Sequence, residues 1–266
     1  RSPSQPGGAS GDRGADHSPD RSEQIKMRGV LMRIKGVIFD LDGTLIDSMW
    51  VWDQVDRDFL GARGFEVPPD YQKEIQALGF YETACYTIDR FGLKERPEDI
   101  IKEWNDMAER TYHKEVKIKP YARELLVCLR DQGIHLGVAT ASYASLFTEC
   151  LKRNNVYDLF ECFTETSEVE RGKGFPDIYI KAAGKLGYSP QECLVFEDIH
   201  QGILGARAGG FCTVGVFDEK SADSWAEIQR DSDYAIRGFG QLLQDSQLFR
   251  EIFGKECSRR SANLDV

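Results

Sequence analysis

The chain of 266 residues carries 34 lysines and arginines against 44 aspartates and glutamates, a net charge of −10, with 41% hydrophobic and 29% charged residues. That balance belongs to a globular protein long enough to bury one large core and a smaller one. It excludes a basic surface that neutralises nucleic-acid phosphates in series and weighs against anionic membranes; a small anionic ligand stays open, because a metal ion or a lysine reverses the field locally.

Residues 1–32 are expected to form a disordered leader. As far as residue 24 they offer Ser, Pro, Gly, Asp and Arg with no large apolar side chain, too little to offset the entropy of ordering. A first strand is predicted at Lys35–Phe39. Four helical patterns then follow with no strand between them: Met49–Leu60, Pro69–Leu78, Tyr81–Phe91 and Pro97–His113. Residues 48–117 are therefore expected to be a small helical domain inserted into a core made of 33–47 and 118–253.

Within the core, Tyr121, Leu125 and Leu129 mark one face of a helix, followed by a strand at Ile134–Ala139. Leu146, Phe147, Cys150 and Leu151 mark a second helix. Ile178, Ala182, Ala183 and Leu186 mark a third, closed by Gly187 as a C-cap. Strands are predicted at Cys193–Phe196 and Phe211–Val216, with a weaker one at Asp233–Ile236. Short apolar runs of this kind suit strands buried on both faces. Alternation with helices implies an α/β fold, a Rossmann-like parallel sheet in three α/β/α layers. Residues 254–266 read as a flexible tail.

The seven cysteines are odd in number and none stands in C-x-x-C spacing. Free thiols in a reducing cytoplasm are expected, rather than a zinc site. Apolar runs such as Leu125–Leu129 fall far short of a membrane span, and no charged-then-apolar secretory layout is visible.

Ligands of open α/β sheets bind beyond the carboxyl ends of the strands. Here those ends carry polar residues: Asp40 and Asp42 in VIFDLDGTLIDS, Thr140 and Ser142 in GVATAS, Glu197 and Asp198 in LVFEDIHQG. Lys173 lies in GKGFPDIY before the third of these strands. Converging carboxylates repel, and must share protons or a cation. Hard oxygen ligands of this kind favour Mg²⁺. The pattern predicts an acidic magnesium site with one positive side chain, suited to phosphate. Taken singly, each residue has a plainer use: Thr140 as a strand-end cap, Lys173 as a solvated loop lysine, Glu197 and Asp198 as caps of the next helix. D-x-D-G also begins a calcium loop. Setting Gly43 at that loop's glycine, however, puts Ile38 and Met49 where oxygen ligands are required. His113 and His135 read as structural, His200 as a loop position at the crevice rim, and His17 falls in the leader.

These four segments, in this order and spacing, resemble the four motifs of the haloacid dehalogenase-like hydrolases, over about Met32 to Phe253. The helical insert resembles that family's helical cap, in the branch of phosphoglycolate phosphatase and β-phosphoglucomutase. The resemblance implies Asp40 as the nucleophile that forms an aspartyl-phosphate, and Asp42 as general acid and then base. It implies Thr140, with the backbone at Ala141 and Ser142, as phosphoryl ligands, and Lys173 as the balancing cation. Gly43 gives the loop room and Thr44 orients it. Mg²⁺ is expected on Asp40, the Asp42 backbone carbonyl and Asp198, with Glu197 as ligand or support.

A phosphatase acting on a small phosphomonoester, such as a sugar or other metabolite phosphate, is the leading expectation. A β-phosphoglucomutase-like mutase and a non-catalytic phosphate- or metal-binding domain are the alternatives. Mutase-like members carry a histidine twelve residues after the nucleophile, where this chain has Trp52. They also carry a cap arginine near the position that Glu82 occupies, and a glutamate repels a second phosphate. A dehalogenase has no need of Glu197 and Asp198. Trp52, Gly79, Phe80 and Glu82 are expected to select the leaving group, although Trp50, Trp52, Trp104 and Phe80 also suit the insert's own core. No nucleic acid or membrane partner is expected, and the chain is expected to act as a cytoplasmic monomer.

Overall fold

The computed structural model describes residues 34–75 and 80–255. The expected leader, the tail beyond Lys255 and Gly79 lie outside the described residues. Six parallel strands form the sheet: β1 (Gly36–Phe39), β4 (His135–Thr140), β5 (Cys162–Glu165), β6 (Cys193–Glu197), β7 (Cys212–Val216) and β8 (Tyr234–Ile236), in the order β5-β4-β1-β6-β7-β8. The chain builds outward from β1 on one side through β4 and β5, then crosses back to add β6, β7 and β8 on the other. The change of direction opens a crevice between the carboxyl ends of β1 and β6, where such sheets bind ligands.

Strand periodicity sorts the core. Val37 and Phe39 pack with Leu125, Leu129, Leu242 and Phe249 on one face, and Ile38 packs with Ile178, Ala182 and Ala206 on the other. The first face is covered by α5 (Ala122–Asp131), α6 (Ala144–Arg153), α10 (Phe239–Gln244) and α11 (Ser246–Phe253). The second is covered by α7 (Asp177–Leu186) and α8 (His200–Ala208), while α9 (Trp225–Asp231) packs beside α8. The expected three-layer α/β/α core is what forms. Phe39 stacks on Phe196 at 4.7 Å with their planes 2° apart, locking β1 to β6 just below the crevice. Gly187 ends α7 at φ 81°, as its sequence position predicts.

Strand β5 is not foreseen from the sequence. It lies at the sheet edge, where only Thr164 is fully buried, so no continuous apolar run announces it. The cysteines need one correction. Cys85, Cys150, Cys162, Cys193 and Cys212 are free thiols, but Cys128 is disulfide-bonded, so the reading of every cysteine as a free thiol does not hold. Among the described residues, no helix is long and apolar enough to cross a membrane.

Between β1 and β4 the chain leaves the sheet along β2 (Ile46–Asp47) and returns along β3 (Lys117–Ile118), which pair antiparallel. The insert they frame is helical: α1 (Val51–Gly61), α2 (Tyr71–Ile75), α3 (Phe80–Phe91) and α4 (Pro97–Lys114). Helix α4 opens with proline at its first turn, with Glu98 and Asp99 there and His113 and Lys114 in its last turn, each suiting the helix dipole. Its end is tied to the core. Arg153 Nε donates to the His113 carbonyl at 2.9 Å, and Asn154 Nδ2 donates to the Val116 carbonyl at 3.2 Å.

Asp56 on α1 is buried, with Gln72 Nε2 donating to it. Burial pushes its carboxyl up to about 6, with Asp53 adding to the rise against the Gln72 hydrogen bond and Arg57. A raised carboxyl binds its proton more tightly folded than unfolded, so stability falls as pH climbs from the ordinary aspartate range through 6. Asp56→Asn is expected to raise the melting temperature at pH 7.5, by the equivalent of up to about 3 kcal/mol, and to change little at pH 4. Thermal unfolding of both proteins at both pH values checks this. An equal gain at both would assign the effect to packing.

Candidate active site

Immediately after β1, the Asp40 amide continues the ladder to the Phe196 carbonyl at 3.0 Å, and its side chain enters the crevice. The chain then folds back tightly, with the Leu45 and Ile46 amides both donating to the Leu41 carbonyl. Gly43 makes the bend at φ 81°, and a Cβ there would stand 2.3 Å from Asp198 Oδ2. Both the conformation and the space therefore require glycine. The bend returns the buried Thr44 hydroxyl between two carboxylates, 3.1 Å from Asp40 Oδ2 and 2.8 Å from Asp198 Oδ1.

Glu197 and Asp198 arrive from the end of β6, both buried. Lys173 reaches in from the loop before α7, donating from Nζ to Asp40 Oδ1 and to Glu197 Oε1, the latter at 2.7 Å. Tyr179 on α7 donates its hydroxyl to the same Glu197 oxygen at 2.8 Å. Helix α8 closes on Glu197 from below, where a Cβ on Gly202 would lie 2.5 Å from the carboxylate carbon. Glu197 is thus fixed by Lys173, Tyr179 and Gly202, and its most evident task is to hold Lys173 against Asp40.

Oxygen atoms of Asp40, Glu197 and Asp198 lie within 4.8 Å of one another, all three residues buried. Burial pushes the Asp40 carboxyl well above its ordinary range; Lys173 opposes this, and Glu197, Asp198 and Asp42 add to it. Asp198 is raised as well, by burial and then Glu197, against Lys173 and its hydrogen bonds. Burial alone would lower the Lys173 ammonium, yet Asp40 and Glu197 outweigh it and raise it above the ordinary lysine value. Three carboxylates facing one ammonium leave an excess of negative charge in a low-dielectric site. An all-oxygen donor set with that excess fits a hard divalent cation.

The Asp42 carboxylate turns away from this cluster. Ser48 and Tyr112 each donate a hydroxyl to its Oδ1 at 2.6 Å, and Ser142 donates to Oδ2. Burial, and then the Asp42 carboxylate, push the Tyr112 phenol well above its ordinary value, so it stays a donor. Thr140, fully buried at the end of β4, accepts the Ser142 amide at 3.0 Å. Its own proton finds no acceptor among the described residues. Ala141 and Ser142 lead into α6, with Ala141 exposed and Ser142 half-buried.

Of the residues expected to select a substrate, Trp52 and Phe80 meet edge to face at 5.3 Å, and Phe80 meets the buried Trp104 at 5.8 Å. Phe80 is 43% exposed on α3, and Glu82 is exposed on the same helix. Trp50 donates its indole N–H to the Asp47 carbonyl at 2.9 Å. His200 is not in a loop but opens α8, its Nε2 2.7 Å from Asp231. His113 and His135 pair with the Ser145 carbonyl and Glu161. Sequence reasoning missed Ser48, Tyr112 and Tyr179. Ser48 was within reach, at the end of VIFDLDGTLIDS; the two tyrosines sit at ordinary helix-core positions that no spacing distinguishes.

Residues 37–216 match the family model of haloacid dehalogenase-like hydrolases. The chain belongs to that family. Hexitol phosphatase A of Escherichia coli (strain K12) is 31% identical over 189 residues, covering 70% of this chain and 84% of the relative. Phosphorylated carbohydrates phosphatase of Thermotoga maritima is 25% identical over 177 residues, covering 66% of this chain and 82% of the relative. The crystal structure of β-phosphoglucomutase from Clostridium difficile superposes with a TM-score of 0.63 at 19% identity, over 83% of this chain and 97% of that one. That last likeness is one of fold. As a haloacid dehalogenase-like hydrolase with phosphatases among its relatives, the protein is an enzyme of the phosphatase type.

Proposed function

We propose that this hydrolase is a Mg²⁺-dependent phosphatase that removes phosphate from a small sugar, sugar-alcohol or other metabolite phosphomonoester, through a phosphorylated Asp40. The observation that carries the proposal is the buried cluster of Asp40, Glu197 and Asp198 with Lys173 lodged in it. The relatives named for hexitol and carbohydrate phosphates support the substrate class.

The residues take the following parts. An Asp40 carboxylate oxygen attacks phosphorus while the ester P–O bond breaks, and Asp42 gives its proton to the departing oxygen. Asp42 then takes a proton from water. The resulting attack on phosphorus breaks the bond to Asp40 and frees inorganic phosphate. Lys173, the Thr140 hydroxyl and the backbone at Ala141 and Ser142 hold phosphoryl oxygens where charge gathers. Asp40, Asp198 and the Asp42 backbone carbonyl would hold the cation, with Glu197 beside it. When bound, the cation neutralises charge and lets an anionic carboxylate approach an anionic phosphate. Thr44 sets the spacing between Asp40 and Asp198.

Residues 48–117 act as a cap over this crevice on a core of 33–47 and 118–253, and shield the reaction from water. Trp52, Gly79, Phe80 and Glu82 on the cap select the leaving group. Trp52 and Glu82, where a mutase carries histidine and arginine, favour hydrolysis over phosphoryl transfer between sugar positions.

A panel of sugar and sugar-alcohol phosphates tests the reading. Steady phosphate release is expected, lost on chelation with EDTA and restored by Mg²⁺. With β-glucose 1-phosphate and a bisphosphate primer, free phosphate is expected to appear faster than an isomer. Isomer outrunning phosphate would favour the mutase, and tight ligand binding with no turnover would favour a non-catalytic domain.

A further inference from the structure

Three hydroxyls converge on the Asp42 carboxylate, and they come from three separate parts of the chain. Ser48 follows β2 where the chain enters the insert, Ser142 follows β4 in the core, and Tyr112 lies on the last turns of α4, the longest helix of the insert. The Tyr112 ring is 1% exposed and its hydroxyl points at Asp42 Oδ1, 70 residues away in the chain. A carboxylate offers about four lone-pair sites. Two on Oδ1 and one on Oδ2 are taken, which leaves one direction on Oδ2 for a proton in transit.

We propose that Tyr112 is a positioning residue for proton transfer by Asp42, so that a helix of the insert governs how well the leaving group is protonated. The proposal rests on the reading of Asp42 as general acid. As the ester P–O bond breaks, its electron pair goes to the ester oxygen, which takes the proton from the Asp42 carboxyl. Asp42 is left as a carboxylate. A hydroxyl donating to a carboxyl oxygen grips harder as negative charge develops on it, and more so in a buried site. Tyr112 therefore contributes more after the proton has left than before, which is the condition for acceleration rather than mere binding. Ser48 and Ser142 ride on the segments next to Asp42 and the phosphoryl-binding loop. Tyr112 instead rides on α4, so the insert supplies this donor, from the end of the helix that Arg153 and Asn154 tie to the core.

The effect must depend on the leaving group. An alkoxide leaves only with a proton, whereas p-nitrophenolate leaves without one. Tyr112→Phe keeps the buried ring and removes only the hydroxyl. It is expected to lower kcat/KM for the best alkyl phosphate of the panel by roughly ten- to a hundredfold, and that for p-nitrophenyl phosphate by no more than about threefold. The ratio of the two constants is taken on one preparation, so any loss of folded protein cancels. Asp42→Asn, measured alongside, is expected to show the same contrast more strongly. If Asp42→Asn shows no contrast, the assignment of Asp42 as acid fails. If it does, and Tyr112→Phe lowers both substrates equally or neither, Tyr112 only packs and the proposal is overturned.

Discussion

Asp40→Asn is expected to lower phosphate release at least a thousandfold, about 4 kcal/mol of activation free energy, while leaving the melting temperature of the metal-free protein unchanged or higher. The two halves have one physical cause. Asp40 is buried beside Glu197 and Asp198 with Lys173 as the opposing charge, and its carboxyl is held well above its usual range. An amide removes one member of a mutually repelling set; its single oxygen serves Lys173 in the place of Oδ1, and its NH2, in the place of Oδ2, donates to the Thr44 hydroxyl, which keeps its bond to Asp198. Lys173 also keeps its bond to Glu197. What disappears is the nucleophile. Activity sites commonly carry strain that inactivating substitutions relieve. Phosphate release and thermal unfolding, each with and without Mg²⁺, check both halves. A variant that stays active removes Asp40 from the chemistry.

Lys173→Met is expected to have the opposite profile. Activity falls by roughly a thousandfold, because the cation that balances nucleophile and phosphoryl group is gone. Stability falls as well, since removing one partner of a buried ion pair leaves uncompensated charge that costs about 3–5 kcal/mol. Here that charge sits on Asp40 and Glu197, 4% and 0% exposed in their side chains. Added Mg²⁺ is expected to restore more of the melting temperature in this variant than in the parent, because a divalent cation relieves the same repulsion. Melting curves across a Mg²⁺ titration read this directly. Equal Mg²⁺ shifts in the two proteins would mean that Lys173 and the cation do not share a charge balance.

The contrast between these two variants shows which features are legible from sequence. Asp40, Thr140 and Asp198 follow apolar runs directly, so strand prediction alone places them at one edge of the sheet, and the loop residue Lys173 joins them through its motif. The order of the strands then sets Asp40 beside Asp198, because β1 and β6 are neighbours. Helical insert and α/β core are visible for a similar reason, since a long stretch with helical period and no strand interrupts the alternation. Strand β5 escapes because an edge strand has one buried side chain and so carries no apolar run. Tyr112 and Tyr179 escape because their roles arise from contacts 70 and 18 residues away, made by side chains that otherwise pattern as helix core. The role of Glu197 is sharpened in the same way. Its sequence position suggests a metal ligand or support; Lys173 and Tyr179 both bond its Oε1, and it also stands in the carboxylate cluster with Asp40 and Asp198.

The central claim is that Asp40 carries the phosphoryl group between its two transfers. Acid-quenching the enzyme with Mg²⁺ and a good substrate, then mapping the modified peptide by mass spectrometry, tests it most directly. One phosphoryl group is expected on the peptide containing Asp40, removed by hydroxylamine as an acyl phosphate is, and absent from Asp40→Asn. A phosphoryl group on any other residue, or one that survives hydroxylamine, would contradict the account.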